Sequence, residues 1–435
     1  MTQHQRLAAR LGGVAALPLV IALAACSSSS SGDTAGGGST GAGTEFTLTY
    51  AKSNTIESPF EVLAKQYMAA NPGVTIKLDA KPNDTYGDSV RTQLQAGNAA
   101  DVLETEGGSG QSRSIVPLAK ANFLEPLGDA AAKTIPSGSE ALFQVDGNTY
   151  GQPLGISYAG LVYNTTAATA AGVTTPAKSF DEVKAACSKV PGAGGGKSLY
   201  VLAGSTVPNA GITSLIISAT RVYAQDPDWN TKRTSNQTTF AGTQGWKDTL
   251  QAILDMKQAG CFQQGAEGAG FDAITNNMAQ GTSVAFFGPL GSASELQKAA
   301  PTQKFVAEAF PPAASGGKAF GIASATYSLS INAASKQKSA ANAFLSWLAD
   351  PAQADVFAKA SGGLPISGLD KMDLSTTIYA DVADILKKGD FTALPNSGWK
   401  NSAVYDALGT GVQGLLTGQN TVDSVLKSMD TAWDQ

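Results

Sequence analysis

Glu104 and Glu106 stand out by their spacing: they follow the apolar run Val102-Leu103 and directly precede Gly107-Gly108. Acids at a strand end can bind ligand hydroxyls, and glycines beside them let a ligand approach the backbone. Two nearby carboxylates also suit the hydrolysis of a glycosidic bond, which needs no histidine. A site for sugar-like molecules further needs flat apolar rings for the C–H faces. Trp229 and Trp399 are the better candidates. They lie in the turn-rich segments Asp226-Pro227-Asp228-Trp229-Asn230 and Pro395-Asn396-Ser397-Gly398-Trp399, where burial is less expected. Trp246, Trp347 and Trp433 fall in helical patterns with apolar neighbours and read as core.

Other chemistries are excluded by what the chain lacks. Its one histidine, His4, lies in the N-terminal signal segment, so the rest of the chain has no Ser-His-Asp or Cys-His pair and no His-ligated metal. No metal and no cofactor is expected. Gly194-Gly195-Gly196-Lys197-Ser198 imitates a phosphate loop, but a helix precedes it and the strand-like Leu199 to Leu202 follows. Asp226 to Asn230 imitates a calcium loop, but Thr231 and Gln237 stand where glycine and glutamate are required.

The elements that must position Glu104 and Glu106 alternate in type. Phe46 to Tyr50 alternates like a strand, Pro59 to Ala70 carries Phe60, Leu63, Tyr67 and Met68 on one helical face, and Asn71-Pro72-Gly73 stops it. Val74 to Leu78 is a second strand, Tyr86 to Ala96 a helix, and Asp101-Val102-Leu103 a short buried strand. This alternation predicts an α/β fold with a largely parallel sheet, whose ligands bind beyond the carboxyl ends of the strands. The loops Ser53-Asn54, Lys81 to Tyr86 and Glu104 to Gly108 then share one edge, which adds Asn54 and Tyr86 to the candidate ligand contacts.

The N-terminus sets the compartment. Arg6 and Arg10 precede an apolar stretch, Leu11 to Ala25, whose length of about 15 residues falls short of the roughly 20 needed to span a bilayer. Residues 1–25 therefore read as a signal peptide. Leu23-Ala24-Ala25-Cys26 resembles the bacterial lipobox, which implies that Cys26 is diacylated and anchors the protein to the outer face of the cell membrane. Residues 26–44 are almost entirely Ser, Gly, Ala and Thr and should form a flexible tether. Cys187 and Cys261, in an oxidising setting, are expected to pair. The net charge of −5 becomes −7 once Arg6 and Arg10 are removed, and there are no basic runs, so nucleic acid is not an expected partner.

Short motifs along the chain resemble those of the family 1 extracellular solute-binding proteins, the maltose-binding type. They run in order: Asn71-Pro72-Gly73-Val74, Gln95-Ala96-Gly97, Ala100-Asp101-Val102, Leu124-Glu125-Pro126-Leu127 and Asp146 to Pro153. Then come Val162-Tyr163-Asn164, Met278-Ala279-Gln280-Gly281, Gly288-Pro289, Ile331-Asn332-Ala333-Ala334-Ser335 and Gly362-Gly363-Leu364-Pro365. The resemblance implies a two-lobed, periplasmic-binding-protein-like fold of type II, with a ligand held in the cleft between discontinuous lobes. It places crossovers near Pro153 to Ala159, near Gly291 and near Asn332 to Ser335. Lobe one would comprise 45–156 plus 291–333, and lobe two 157–290 plus 334–435. Tyr158, just past the first crossover, becomes a cleft candidate. So does Phe287, because Leu290 follows Gly288-Pro289 where maltodextrin-binding members carry a tryptophan. The function implied is capture of a small carbohydrate or polyol by a monomer that delivers it, unreacted, to the transmembrane subunits of an ABC importer. The rival reading is an exported glycoside hydrolase working through paired carboxylates.

Overall fold

The computed structural model describes residues 44–52, 56–191, 194–325 and 327–435. The signal segment, Cys26, most of the tether and Asn54 lie outside the described residues. The strands are β1 (Thr44–Lys52), β2 (Val74–Pro82), β3 (Val102–Thr105), β4 (Gln144–Val145), β5 (Asn148–Thr149), β6 (Gln152–Pro153) and β7 (Gly155–Asn164). They continue with β8 (Ser198–Tyr200), β9 (Ser283–Pro289), β10 (Phe305–Glu308), β11 (Gly321–Ala325), β12 (Ser328–Ile331), β13 (Leu364–Pro365) and β14 (Phe391–Thr392).

Two main sheets define two lobes. The first has the order β2-β1-β3-β12-β6, with β1 parallel to both β2 and β3, and β12 antiparallel to β3 and β6. The second has the order β14-β11-β7-β9-β8, and the long β7 also pairs with β10 and β13. Parallel pairing holds for β1–β3 and, in the second sheet, for β8 with β9 and β11 with β14, but β7 at its centre is antiparallel to β9, β10, β11 and β13. In both lobes helices cover the sheets and bury apolar faces that water would otherwise touch.

Local sequence explains the elements beneath the strand-end loops. Helix Pro59–Ala70 starts where Ser58 Oγ accepts the Phe60 N–H and the Glu61 carboxylate accepts the Ser58 N–H, with proline at its first position. It buries Phe60, Leu63, Ala64 and Tyr67, and after Asn71 the chain reverses through Gly73 at φ +97°.

Two of the chain's three passages between the lobes differ from the expected ones. The first passage, at Leu154 between β6 and β7, falls within the expected segment. The second lies between β11 and β12 and the third after helix Pro351–Ser361, where β13 joins β7. All three lie side by side, since Leu154 N–H donates to Tyr327 O at 2.9 Å and Leu364 pairs with Ile156. The assignment of 291–333 to lobe one is therefore corrected for 291–325, since β10 and β11 are built into lobe two's sheet, while β12 keeps its place in lobe one. Residues 338–361 move the other way. Phe344 of helix Lys338–Leu348 meets Phe46 of β1 with ring centroids 5.8 Å apart, and Phe357 meets Phe60 at 5.6 Å.

Cys187 and Cys261 form a disulfide across 74 positions of sequence, tying helix Phe180–Lys189 to the end of helix Gln244–Gln258.

Candidate cleft between the lobes

Because β1, β2 and β3 run parallel, the loops that follow them open on one edge of lobe one. Glu104 is the penultimate residue of β3 and its Oε2 accepts the Ala51 N–H at 2.6 Å, which links the β1 and β3 ends. Arg113 stands between the two acids, with Nη1 3.6 Å from Glu104 Oε1 and Nε 3.3 Å from Glu106 Oε2. Gln111 adds an amide donor to Glu106 at 3.0 Å. Beneath the guanidinium lies the Tyr86 ring, 5.5 Å from its centroid, and the Tyr86 hydroxyl reaches the carbonyls of Thr49 and Glu104 at 3.1 and 2.9 Å. Tyr86, Glu104 and Glu106 are thus brought together at the strand ends; all three are buried.

Burial governs the electrostatics. It raises the Glu104 and Glu106 carboxyls above the ordinary carboxylate range, with Arg113 opposing, and the Ala51 N–H also opposes at Glu104. For Arg113, burial works against the charged form, but the two glutamates outweigh it and hold its proton more firmly than usual. The cluster therefore offers no spare cation to an anionic ligand.

The facing wall comes from lobe two. Ser109 N–H donates to Ser397 O at 2.9 Å, and its hydroxyl donates to Trp399 O. A Cβ on Gly108 would lie 2.0 Å from Ser397 O, and one on Gly110 1.7 Å from Asn396 O. Gly108 thus admits the opposing backbone, the approach that the sequence reading reserved for a ligand. The turn Pro395–Gly398 is itself held inside lobe two: Asn230 donates to Pro395 O at 2.8 Å, and Tyr223 OH donates to Asn230 Oδ1 at 2.9 Å.

The aromatic candidates are placed differently from the sequence expectation. Trp229 and Trp399 are buried, 2% and 0% exposed, rather than open platforms. Both join a cluster in which Phe240 lies 4.8 Å from Trp229 and 5.3 Å from Trp399, and Trp246 lies 5.8 and 5.9 Å from them. Phe287 is packed between Tyr200 and Phe310 at 5.0 and 5.5 Å, and Phe286 is buried on the other face of β9. Tyr158 is fully buried, its ring 2.7 and 2.8 Å from where Cβ atoms on Gly160 and Gly321 would stand. Turn-rich sequence does not betray such burial, because long-range packing imposes it. Sequence reasoning missed Arg113, Ser109 and Asn396. An arginine seven residues after Glu106 was a signal for the first, whereas the others emerge only from the pairing of the lobes.

A family model for bacterial extracellular solute-binding proteins matches residues 51–355, which include Tyr86, Glu104, Glu106 and Arg113. The chain belongs to that family. Its members are binding proteins and not enzymes, which removes the glycoside hydrolase reading. This solute-binding protein is 25% identical over 399 residues to a binding protein of Brucella abortus (strain 2308), covering 88% of this chain and 91% of the relative. Among solved structures, a protein described in work on xylan utilization by Caldanaerobius polysaccharolyticus has a TM-score of 0.74 at 21% identity, covering 89% and 99% of the two chains. The maltose/maltodextrin-binding domain of Bdellovibrio bacteriovorus, bound to maltotriose, has a TM-score of 0.69 at 18% identity, covering 90% and 99%. These likenesses establish the two-lobed fold of this solute-binding protein.

Proposed function

We propose that this solute-binding protein captures a small neutral carbohydrate or polyol between its lobes and presents the closed form to the membrane subunits of an ABC importer. The observation that carries the reading is the seam itself. Strand-end loops bearing Tyr86, Glu104, Glu106 and Arg113 meet a turn of the other lobe through few direct hydrogen bonds, beside a three-strand hinge. A ligand that bridges both walls favours closure by its differential affinity for the closed form. The one guanidinium of the Glu104–Arg113–Glu106 group is already shared between two carboxylates, which disfavours an anionic molecule. Leucine instead of an aromatic at position 290 provides no ring platform, which favours a short ligand over an extended oligosaccharide. The solved relatives associated with xylan and maltotriose point to the same chemical class.

The reading includes anchorage. Cleavage after Ala25 and acylation of Cys26 would tether the monomeric lobes outside the membrane. Cys26→Ser should release the protein into the medium, checked by fractionation and by intact mass of the N-terminal peptide.

Thermal-shift screening over sugars, polyols, amino acids and polyamines tests the ligand class. A ligand at a hundred times its Kd adds about 2.7 kcal/mol to the folded state and should raise Tm by a few degrees. A response confined to amino acids or polyamines would overturn the assignment. Recovered ligand should be chemically unchanged.

A further inference from the structure

Asn396 is fully buried in the turn facing Gly110, yet its amide oxygen and amide nitrogen both lack a hydrogen-bond partner. Its neighbours are all engaged: Asn396 O accepts from Trp399 N–H, Ser397 O from Ser109 N–H, and Pro395 O from Asn230. The turn is thus rigidly placed from both sides while its amide is left over. A buried amide with neither half paired is costly, and such groups in native proteins need an explanation. The Cβ of Asn396 lies 3.2 Å from where a Cβ on Gly110 would stand, so the side chain leaves the backbone at the seam itself.

Resting on the functional reading above, we infer that Asn396 is the specificity-determining residue of lobe two, reading a hydroxyl pair on the captured molecule. A carboxamide presents one acceptor and a two-proton donor side by side. Adjacent hydroxyls of a sugar or polyol can donate to Oδ1 and accept from Nδ2 at once. A carboxylate has only acceptors and leaves Oδ1 unpaired; an ammonium has only donors and leaves Nδ2 unpaired. The amide thus discriminates against both charged classes by the unpaired group each would strand, the mechanism by which polar sites reject wrong ligands most strongly. Lobe one complements it, because Arg113 is already committed to Glu104 and Glu106.

The experiment compares the wild-type protein with Asn396→Ala and Asn396→Leu. The probes are D-glucose, D-xylose, D-tagatose, sorbitol and maltotriose, with succinate and spermidine as charged comparators. Tm is measured without probe, and affinity by calorimetry for the probe that shifts the wild type most. The expected result is an unliganded Tm equal to or above wild type in both variants, since an unpaired amide is removed, with affinity weakened at least about tenfold. Affinity within about threefold of wild type would refute the role of Asn396 while the functional reading stands. A fall in unliganded Tm of several degrees in both variants would mean that the amide is structural, and would also refute it. No wild-type shift with any neutral probe would instead refute the functional reading.

Discussion

On the lobe-one wall of the seam an arginine is held between two buried glutamates; on the lobe-two wall a short turn lies over a cluster that includes Phe240, Trp246 and Trp399. The first wall is polar, satisfied within itself and built at the ends of parallel strands. The second is apolar behind and leaves one amide unsatisfied in front. The difference separates two duties: a charged frame that must remain intact to keep its shape, and a rigid backing that leaves its polar front free to choose.

The comparison breaks most severely at the backing. Trp246→Ala removes a fully buried ring from among Tyr223, Trp229, Phe240 and Trp399 and should cost about 3–5 kcal/mol, read by denaturant unfolding. Trp246→Phe should cost much less, because the indole N–H has no partner to lose. Next comes the disulfide. Replacing Cys187 and Cys261 by alanine should cost about 2–4 kcal/mol, because the bridge closes a long loop that confines the unfolded chain. Lobe one should keep its stability in that variant, which native-state hydrogen exchange would register.

On the charged wall, Arg113→Met strips both glutamates of their counter-charge. The usual cost of such a change is about 3–5 kcal/mol. A loss of that size is expected near neutral pH, read by denaturant unfolding. The sign with pH follows from the raised carboxyls: protonation relieves them, so the loss should shrink at pH 5 and grow at pH 8. Adding Glu104→Gln and Glu106→Gln should recover most of it.

A further, pH-dependent effect lies away from the seam, at Glu308 of β10. Burial, then the charge of Asp381 and a hydrogen bond with it, push the Glu308 carboxyl up to about 8. Its folded form thus holds a proton that the unfolded chain has released, and its contribution is fully present below the ordinary carboxylate range. That contribution is lost as pH rises toward 8. Tm should therefore fall from pH 5 to pH 8 more steeply in the wild type than in Glu308→Gln.

Lobe one was far more legible in the sequence than lobe two. Ser58-Pro59 and Asn71-Pro72-Gly73 punctuate a helix by local chemistry, and β1 to β3 follow with short connections. The clustering of Tyr86, Glu104 and Glu106 followed from that order alone. Lobe boundaries resisted because β10 and β11 find β7 across more than a hundred residues, a pairing no local pattern records. Trp229 and Trp399 misled for a related reason: Asp, Pro, Asn and Gly describe the backbone's turning, while distant rings decide what the indoles touch.

The position of β12 bears on how the chain must be handled before it is finished. That strand lies between β3 and β6, yet the whole of β7 to β11 is synthesised before it. Lobe one's sheet cannot be completed until that strand, 223 residues beyond its partner Thr105, has been made. Such late, distant pairing slows folding and prolongs exposure of sticky strand edges. In an exported protein the delay is useful, since a polypeptide that has not yet knotted itself into shape can still be threaded through a narrow translocation channel.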